Sequence, residues 1–516
     1  MLTISSILEL SAAKYPDRPA LIYPAKYQRF TYREWNDQVN RMANGLLKLG
    51  IAKGDRVSTF LGNTGELVST LFATARVGAV ANPINCQLSP AELAFILNDA
   101  ESRALVYGAD ERERVLKARA KIKTVEHFIY VDEQPPDYTV PYYQLLQEQP
   151  DYRPQAQVLE NDWYSIIYTS GTTGKHKGVI HRHRDIVEHS MCMIATQQLT
   201  YQDRGLSVAP LYHSAELHCF FMPRVHAGAA NIIHKTFSTQ SVFQVLEIEK
   251  ITVMYADPSR WKALVEQVGQ RRLPWFRLLM SGGAPMPPDL TVQCQQSLQT
   301  KMIHYYGMTE MGPVISVLLP HEQADKLGSV GKPLINHDIR VVRMDDVYPS
   351  QPEDIVEAGH KGEIIVRGTG MMQGYYNRPE MTARVLYGGW YHTGDIGYID
   401  REGYLWLVDR YDDCIFWGVD NIYPREIEEV LIEHPDIQEA AVVGVDSWRG
   451  IEITAFIVSN NISLTAGDIE VFLRESDKLA HFKIPGAYKF VSELPRGTTG
   501  KVQRRLLAKR IKKTIR

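Results

Sequence analysis

No stretch of this sequence runs through the roughly 20 apolar residues that a membrane-spanning helix needs, because charges interrupt every hydrophobic run well short of that length. The opening MLTISSILELSAAKYPDRPA has no basic segment ahead of an apolar run, so neither a secretory signal nor an integral membrane segment is expected. Cysteine is scarce: Cys86, Cys192, Cys219, Cys294 and Cys414 lie far apart, with no CxxC pair and no Cys/His cluster at zinc-ligand spacing. That excludes a disulfide framework and a structural zinc site, and points to a soluble cytoplasmic protein with reduced thiols. Net charge is missing too. With 57 basic against 60 acidic side chains the balance is −3, which offers nucleic acid no attractive field. No repeat of fixed short period is present, so a solenoid is excluded. Histidines number 16, and RHRDIVEH around His183 groups several of them, but a charged, solvated helix face is the expected reading there rather than a metal site.

What is present is length and alternation. A chain of 516 residues is long enough for two or more domains, each with its own core. From Ser5 to about Pro154 helical and strand patterns alternate as layered α/β structure requires. In TYREWNDQVNRMANGLLKLG, Val39, Met42, Ala43, Leu46 and Leu47 fall on one helical face, and Gly50 stands where a C-terminal cap is expected. The strand RVSTFL follows, then an apolar helix and AVANPIN, a rhythm that parallel strands with crossover helices satisfy. From Trp163 to about Val408 the same rhythm returns. After GYLWLVDRYDD the texture changes to a small α+β unit of about a hundred residues. The expected division is therefore a large, doubly wound α/β body over residues 1–409 and a small α+β domain over 410–516, with the junction at Asp409 to Asp412. The closing KVQRRLLAKRIKKTIR is a basic helical tail without interleaved aromatics, a solvated face rather than a nucleic-acid arm.

The segment richest in chemistry is Tyr168-Thr-Ser-Gly-Thr-Thr-Gly-Lys-His-Lys-Gly-Val179, directly after the apolar strand YSII. Its glycines let the backbone turn and present N–H groups to an anion, Thr169, Ser170, Thr172 and Thr173 add hydroxyls, and Lys177 adds charge. That composition makes a phosphate cradle. It is not the GxxxxGK[ST] loop, because His176, five residues after Gly171, stands where that pattern needs its second glycine.

On these residues the chain resembles the adenylate-forming (ANL) superfamily: acyl-CoA synthetases, peptide-synthetase adenylation domains and firefly luciferase, with acyl-CoA synthetases the nearest in pattern. The resemblance implies the adenylate-forming fold, a large α/β body carrying a small mobile lid. It implies that Thr169, Ser170, Gly171, Thr172, Thr173, Gly174 and Lys177 hold the outer phosphates of ATP. Further motifs follow in the family's order. In His304-Tyr-Tyr-Gly-Met-Thr-Glu310 the resemblance places Tyr305, Tyr306, Gly307, Met308 and Thr309 beside the nucleotide. There Tyr306 offers a flat face for adenine, Thr309 a hydroxyl for the α-phosphate, and Glu310 a hard oxygen for Mg²⁺. In Ser281-Gly-Gly-Ala-Pro285 the main chain of Gly283, Ala284 and Pro285 borders adenine. Asp395, in Tyr391-His-Thr-Gly-Asp395, resembles the ribose clamp, with Arg410 as its partner.

The histidine of Pro210-Leu-Tyr-His213 resembles the one that positions the acyl carboxylate. After it, SAELHCFF puts Glu216 and His218 where relatives often carry glycine and apolar residues. A charge at Glu216 beside the acyl pocket implies a polar or amino-bearing acid, since an unpaired buried charge is expensive; turned outward, it is a solvated carboxylate with no bearing on the acid. In Leu494-Pro-Arg-Gly-Thr-Thr-Gly-Lys501 the lysine resembles the one that bridges the carboxylate and the α-phosphate, where negative charge develops during adenylation.

Asp412 matches the hinge about which the family rotates its lid between half-reactions. Beyond it, Phe416-Trp-Gly-Val-Asp-Asn-Ile-Tyr-Pro424 keeps Gly418 but has Val419 in place of a second glycine, on the face that lines the thiol channel in relatives. By resemblance Trp448, Arg449 and Lys483 hold the nucleotide end of coenzyme A. The reaction implied is activation of a carboxylic acid by ATP and Mg²⁺ through acyl-AMP, then thioester formation with coenzyme A, in a fatty-acid-type metabolism. Loading of a carrier-protein phosphopantetheine is the competing acceptor, and a nucleotide-binding protein without acyl turnover the competing class. A homodimer is compatible with all of these readings.

Overall fold

Local signals and tertiary burial agree in most of the first elements of the computed structural model, which describes residues 2–170, 176–344, 349–410, 415–417, 420–447, 450–476, 478–479, 483–496, 502–504 and 506–508. The helix Tyr32–Lys48 starts at Thr31, whose hydroxyl accepts from the Glu34 N–H while Glu34 returns a bond to the Thr31 backbone. It ends at Gly50, whose φ of 78° a side chain would resist. Val39, Met42, Ala43 and Leu46 are buried as their spacing requires, but Leu47 is 37% exposed and lies off the packed face. A period of 3.6 carries that position about 100° beyond Leu46, past the edge of the apolar stripe.

The chain divides into two compact units, residues 1–339 with 366–391, and residues 340–365 with 392–516. The expected junction at Asp409 to Asp412 is not where this division falls. Pairing of the strand Trp390–Ile399 with Leu405–Arg410 ties residues before that junction into the second unit.

In the first unit, two sheets carry the doubly wound architecture. One has nine strands and the other eight. The larger contains the parallel run Lys301–Gly307, Leu278–Gly282, Val253–Tyr255 and Arg204–Ser207. The other contains Trp163–Ser170, which pairs in parallel with Val80–Pro83 and antiparallel with His176–Arg182. Strands of the parallel runs are buried on both faces: Leu278–Gly282 and Val253–Tyr255 are apolar almost throughout and wholly buried.

The helix His183–Gln197 corrects the reading of RHRDIVEH. His183, Asp185 and His189 are all buried. Asp185 accepts from the Arg182 N–H at the helix start, and the face that carries the histidines packs inward. No group of three metal-capable side chains gathers among the described residues.

In the second unit, Ile437–Ser447 and Gly450–Ser459 form an antiparallel pair, Ala487–Phe490 joins in parallel, and the helices Pro424–Ile432 and Ala466–Glu475 cover an aliphatic core. This is the α+β texture the sequence implied. Among the described residues no helix is long and apolar enough to cross a membrane. Cys86 is half-buried, and Cys192, Cys219 and Cys294 are buried free thiols.

Candidate active site

The hairpin of Trp163–Ser170 and His176–Arg182 sets Thr169 opposite Lys177 and Ser170 opposite His176. Gly171, Thr172, Thr173 and Gly174 lie outside the described residues. The Thr169 hydroxyl is buried with no hydrogen-bond partner among the described residues, an uncommon state for a polar atom and one that a ligand oxygen would relieve.

Next to it is a three-membered polar network. Lys177 Nζ lies 2.8 Å from Glu310 Oε1 and donates to the Tyr375 hydroxyl at 2.5 Å, while that hydroxyl donates to the same Glu310 oxygen at 2.8 Å. The ammonium also lies 4.2 Å above the Tyr375 ring. Burial alone would raise the Glu310 pKa, but the Lys177 charge and the bonds from Lys177 and Tyr375 outweigh it and hold the carboxyl below its ordinary value. Glu310 is thus a buried, ionised oxygen donor.

Each member is placed by backbone geometry. A Cβ at Gly307 would lie 1.9 Å from the Pro313 carbonyl oxygen, so only glycine lets the strand Lys301–Gly307 turn there. The Met308 N–H donates to that same carbonyl at 2.8 Å, and the short 3₁₀ turn Thr309–Met311 presents Glu310. Tyr375 reaches in from Gly374–Tyr375, which pairs antiparallel with Val179 and Ile180, and its N–H is fixed by the Thr382 hydroxyl at 2.9 Å. Sequence reasoning missed Tyr375. The signal available was GYYNRPE, an aromatic pair between a glycine and a proline-started helix.

Thr309 is joined by a second residue the sequence did not single out: its hydroxyl lies 2.7 Å from the Ser214 hydroxyl, buried. That contact brings the Pro210–His213 segment to the network. Asn63 holds the segment from behind, accepting from the Leu211 N–H at 2.8 Å and donating to the Ala209 carbonyl at 2.9 Å. His213 itself is exposed.

Gly282 lies opposite Tyr305 in parallel register, so the Gly283–Pro285 turn, exposed and with Gly283 at φ 80°, stands at the strand end that carries Tyr306. Tyr305 and Tyr306 are both buried, and strand alternation turns their side chains to opposite faces. The Tyr305 ring packs against Phe220, not with Tyr306.

Neither reading of Glu216 holds. It faces neither solvent nor an open pocket: Glu216 and Arg224 are both fully buried, 3.1 Å apart. Arg224 also donates to Ser207 Oγ at 2.6 Å and Asn231 Oδ1 at 3.0 Å. Burial pushes the Glu216 carboxyl up to about 7 against the opposing pull of Arg224. His218 is likewise buried, next to His181 and Tyr164 at 5.9 and 5.7 Å between ring centres.

In the second unit, Asp395 lies opposite Arg410 in the strand pair. Its N–H donates to the Thr393 hydroxyl at 2.9 Å, that hydroxyl donates to the Ile364 carbonyl at 2.7 Å, and buried His392 and Glu363 meet beside it at 3.1 Å. Lys483 is paired with Glu426 at 2.6 Å, and Lys361 pairs with the same carboxylate. Asp412, Gly418, Val419, Trp448, Arg449 and Lys501 lie outside the described residues.

The donor set matches a magnesium–phosphate centre. Mg²⁺ is commonly held through one or two carboxylates, with phosphate and water completing its shell, and Glu310 is one pre-ionised carboxylate beside a cationic lysine and the unpartnered Thr169 hydroxyl. An all-protein cation cage is not what these residues make.

Comparison with known proteins agrees with this chemistry. Residues 8–376 match the model described as AMP-binding enzyme, and residues 426–501 match AMP-binding enzyme C-terminal domain. Long-chain-fatty-acid–CoA ligase FadD13 of Mycobacterium tuberculosis is 32% identical over 523 residues, covering 100% of both chains. The crystal structure of the anthranilate CoA ligase AuaEII in complex with anthranoyl-AMP superposes with a TM-score of 0.89 at 27% identity, over 100% of this chain and 98% of that one. O-succinylbenzoate coenzyme A synthetase (MenE) from Bacillus subtilis, in complex with ATP and magnesium ion, gives 0.85 at 30% identity, over 97% and 98%.

Proposed function

Because the chain belongs to the AMP-binding enzyme family, we propose that it activates a carboxylic acid with ATP as an acyl-adenylate and transfers the acyl group to coenzyme A, releasing pyrophosphate and then AMP. The observation that carries the assignment of roles is the Lys177–Glu310–Tyr375 network, joined through Thr309 to Ser214 and the His213 segment.

In the first half-reaction a carboxylate oxygen of the acid attacks the α-phosphorus, the new P–O bond forms as the bond to pyrophosphate breaks, and the leaving group departs as an anion. Lys177 and the Thr169 hydroxyl bind the outer phosphates. Thr309 binds the α-phosphate, with Ser214 fixing its hydroxyl. Tyr306 and the Gly283–Pro285 main chain take adenine, and Asp395 with Arg410 takes ribose. His213 orients the carboxylate. Glu310 would hold Mg²⁺, which when bound screens the charge between phosphate groups. Lys501 supplies an ammonium where negative charge grows at phosphorus, an interaction stronger in the transition state than in the ground state.

In the second half-reaction the thiol loses its proton, its sulfur attacks the acyl carbonyl carbon, and AMP leaves. Rotation about Asp412 exchanges Lys501 for the face around Gly418, while Trp448, Arg449 and Lys483 hold the acceptor's nucleotide end. Since Lys483 is paired with Glu426, it binds phosphate as part of a Lys361–Glu426–Lys483 group rather than as a lone cation. Buried free thiols suit a reducing cytoplasm.

The test is acid-dependent ATP–pyrophosphate exchange, with thioester formation assayed separately on free coenzyme A and on a phosphopantetheinyl carrier protein. Lys501→Ala is expected to abolish exchange yet still form thioester from supplied acyl-AMP. Undiminished exchange in that variant refutes the role of Lys501, and thioester on the carrier protein alone refutes coenzyme A as acceptor.

A further inference from the structure

The acid itself is not named by the reaction, but the walls behind His213 limit what it can be. This inference rests on the assignment of His213, Ser214 and Thr309 to the carboxylate end.

If adenine lies against Tyr306, the opposite face of the strand Lys301–Gly307 carries Tyr305, and the acyl group must extend on that side. The rim there is open: His213, Gly283, Ala284 and Pro285 are exposed, and Tyr212 and Ala215 are half-buried. Packed aromatic rings lie in the core next to these segments. Tyr305 is 4% exposed and its ring meets Phe220 edge-on, with centres 5.7 Å apart. Phe220 stacks on Tyr255 at 4.1 Å with planes inclined by 13°, and Tyr255 is pinned by its hydroxyl, which donates to the Gly282 carbonyl at 3.2 Å. Cys219, Val253, Leu278 and Met280 pack this aromatic block from behind.

Charge is absent from these walls. The ionic groups that act on Tyr305 and Tyr255 are paired elsewhere: Arg277 with Asp203, Glu216 with Arg224 in the core, and Asp257 with Arg260. The segment that supplies Phe220 is a π-helical stretch, Ala215–Phe221, a geometry that recurs at functional sites and that here swings Phe220 toward Tyr255 while Glu216 faces Arg224.

We infer that Tyr305, backed by the stacked Phe220 and Tyr255, is the closed end of the acyl site and restricts the enzyme to compact, uncharged acids of about one aromatic ring, excluding long alkyl chains. A hexadecanoyl chain would have to displace a close-packed aromatic block, whereas a benzoyl ring stacks on it. The amino-bearing acid that Glu216 suggested has no counter-charge in these walls.

The experiment measures AMP release with coenzyme A for benzoate, butanoate and hexadecanoate on the full-length chain. The wild type should favour benzoate over hexadecanoate in kcat/KM by about 100-fold or more, and Tyr305→Gly should narrow that ratio at least about tenfold by raising hexadecanoate. Because a glycine in a buried strand can prevent folding, Phe220→Leu serves as the second variant, with the same direction expected. Hexadecanoate used as well as benzoate by the wild type overturns the inference and leaves the proposed reaction standing, as does an unchanged ratio in whichever variant folds. No acid-dependent AMP release with any of the acids overturns the reaction and the inference together.

Discussion

Lowering the pH from 7 to 5 should cost the protein several kcal/mol of stability, because its first unit buries imidazoles that must stay neutral. Burial lowers His181, His183 and His304 to about 4, and lowers His189 and His218 well below their ordinary value. Near His181, Asp185 and Glu310 pull the other way but do not offset burial. Each folded-state value is depressed, so the unfolded chain binds the extra proton. Stability is intact above the unfolded value near 6.5 and is lost as pH falls below it toward the folded value. By pH 5 each ring has lost about 2 kcal/mol, set almost wholly by the unfolded state, so five rings lose about 9 kcal/mol together. Two carboxyls act in the opposite sense. Glu111 and Glu216 are raised by burial to about 7, so the folded state holds their protons and each gains about 2 kcal/mol over the same interval. The net loss of about 5 kcal/mol is comparable to the whole stability of many domains. Urea unfolding followed by tryptophan fluorescence at pH 7, 6 and 5 checks this. The midpoint should fall steeply below pH 6.5, and His218→Phe should reduce the slope by close to one proton. A midpoint unchanged between pH 7 and 5 refutes the claim that these rings are neutral and buried.

Two substitutions probe the polar networks directly. Glu310→Gln keeps the shape but removes the charge that Lys177 and Tyr375 stabilise, so acid-dependent pyrophosphate exchange should drop by about 100-fold or more with folding retained; exchange within a few-fold of wild type contradicts the placing of Glu310 at the phosphates. Arg224→Met strands the Glu216 carboxyl in the core and should lower stability by about 3–5 kcal/mol in denaturant titration, while Arg224→Met with Glu216→Leu should recover most of it; equal losses in the single and double variants contradict the pair.

The local chemistry was legible in the sequence because it is local. A glycine- and hydroxyl-rich segment after an apolar strand and a capped amphipathic helix follow from neighbouring residues, and the order of the motifs along the chain carried the fold class and the reaction. What was not legible depends on partners that arrive from elsewhere in the chain. Tyr375 reaches Glu310 only through strand pairing with Val179 and Ile180. RHRDIVEH reads as a wet face because four of its eight residues are charged at neutral pH, yet the helix packs His183, Asp185 and His189 inward. Glu216 and Tyr305 likewise take their surroundings from distant segments. Glu216, read either as a substrate contact or as a solvated carboxylate, is held by an arginine eight residues on, which is itself bonded to Ser207 and Asn231. Tyr305, named beside the nucleotide together with Tyr306, lies by the alternation of its strand on the opposite face, where its ring meets Phe220. Period-2 geometry thus turns the two tyrosines of the pair to opposite faces, and a one-residue slip of that strand would exchange them.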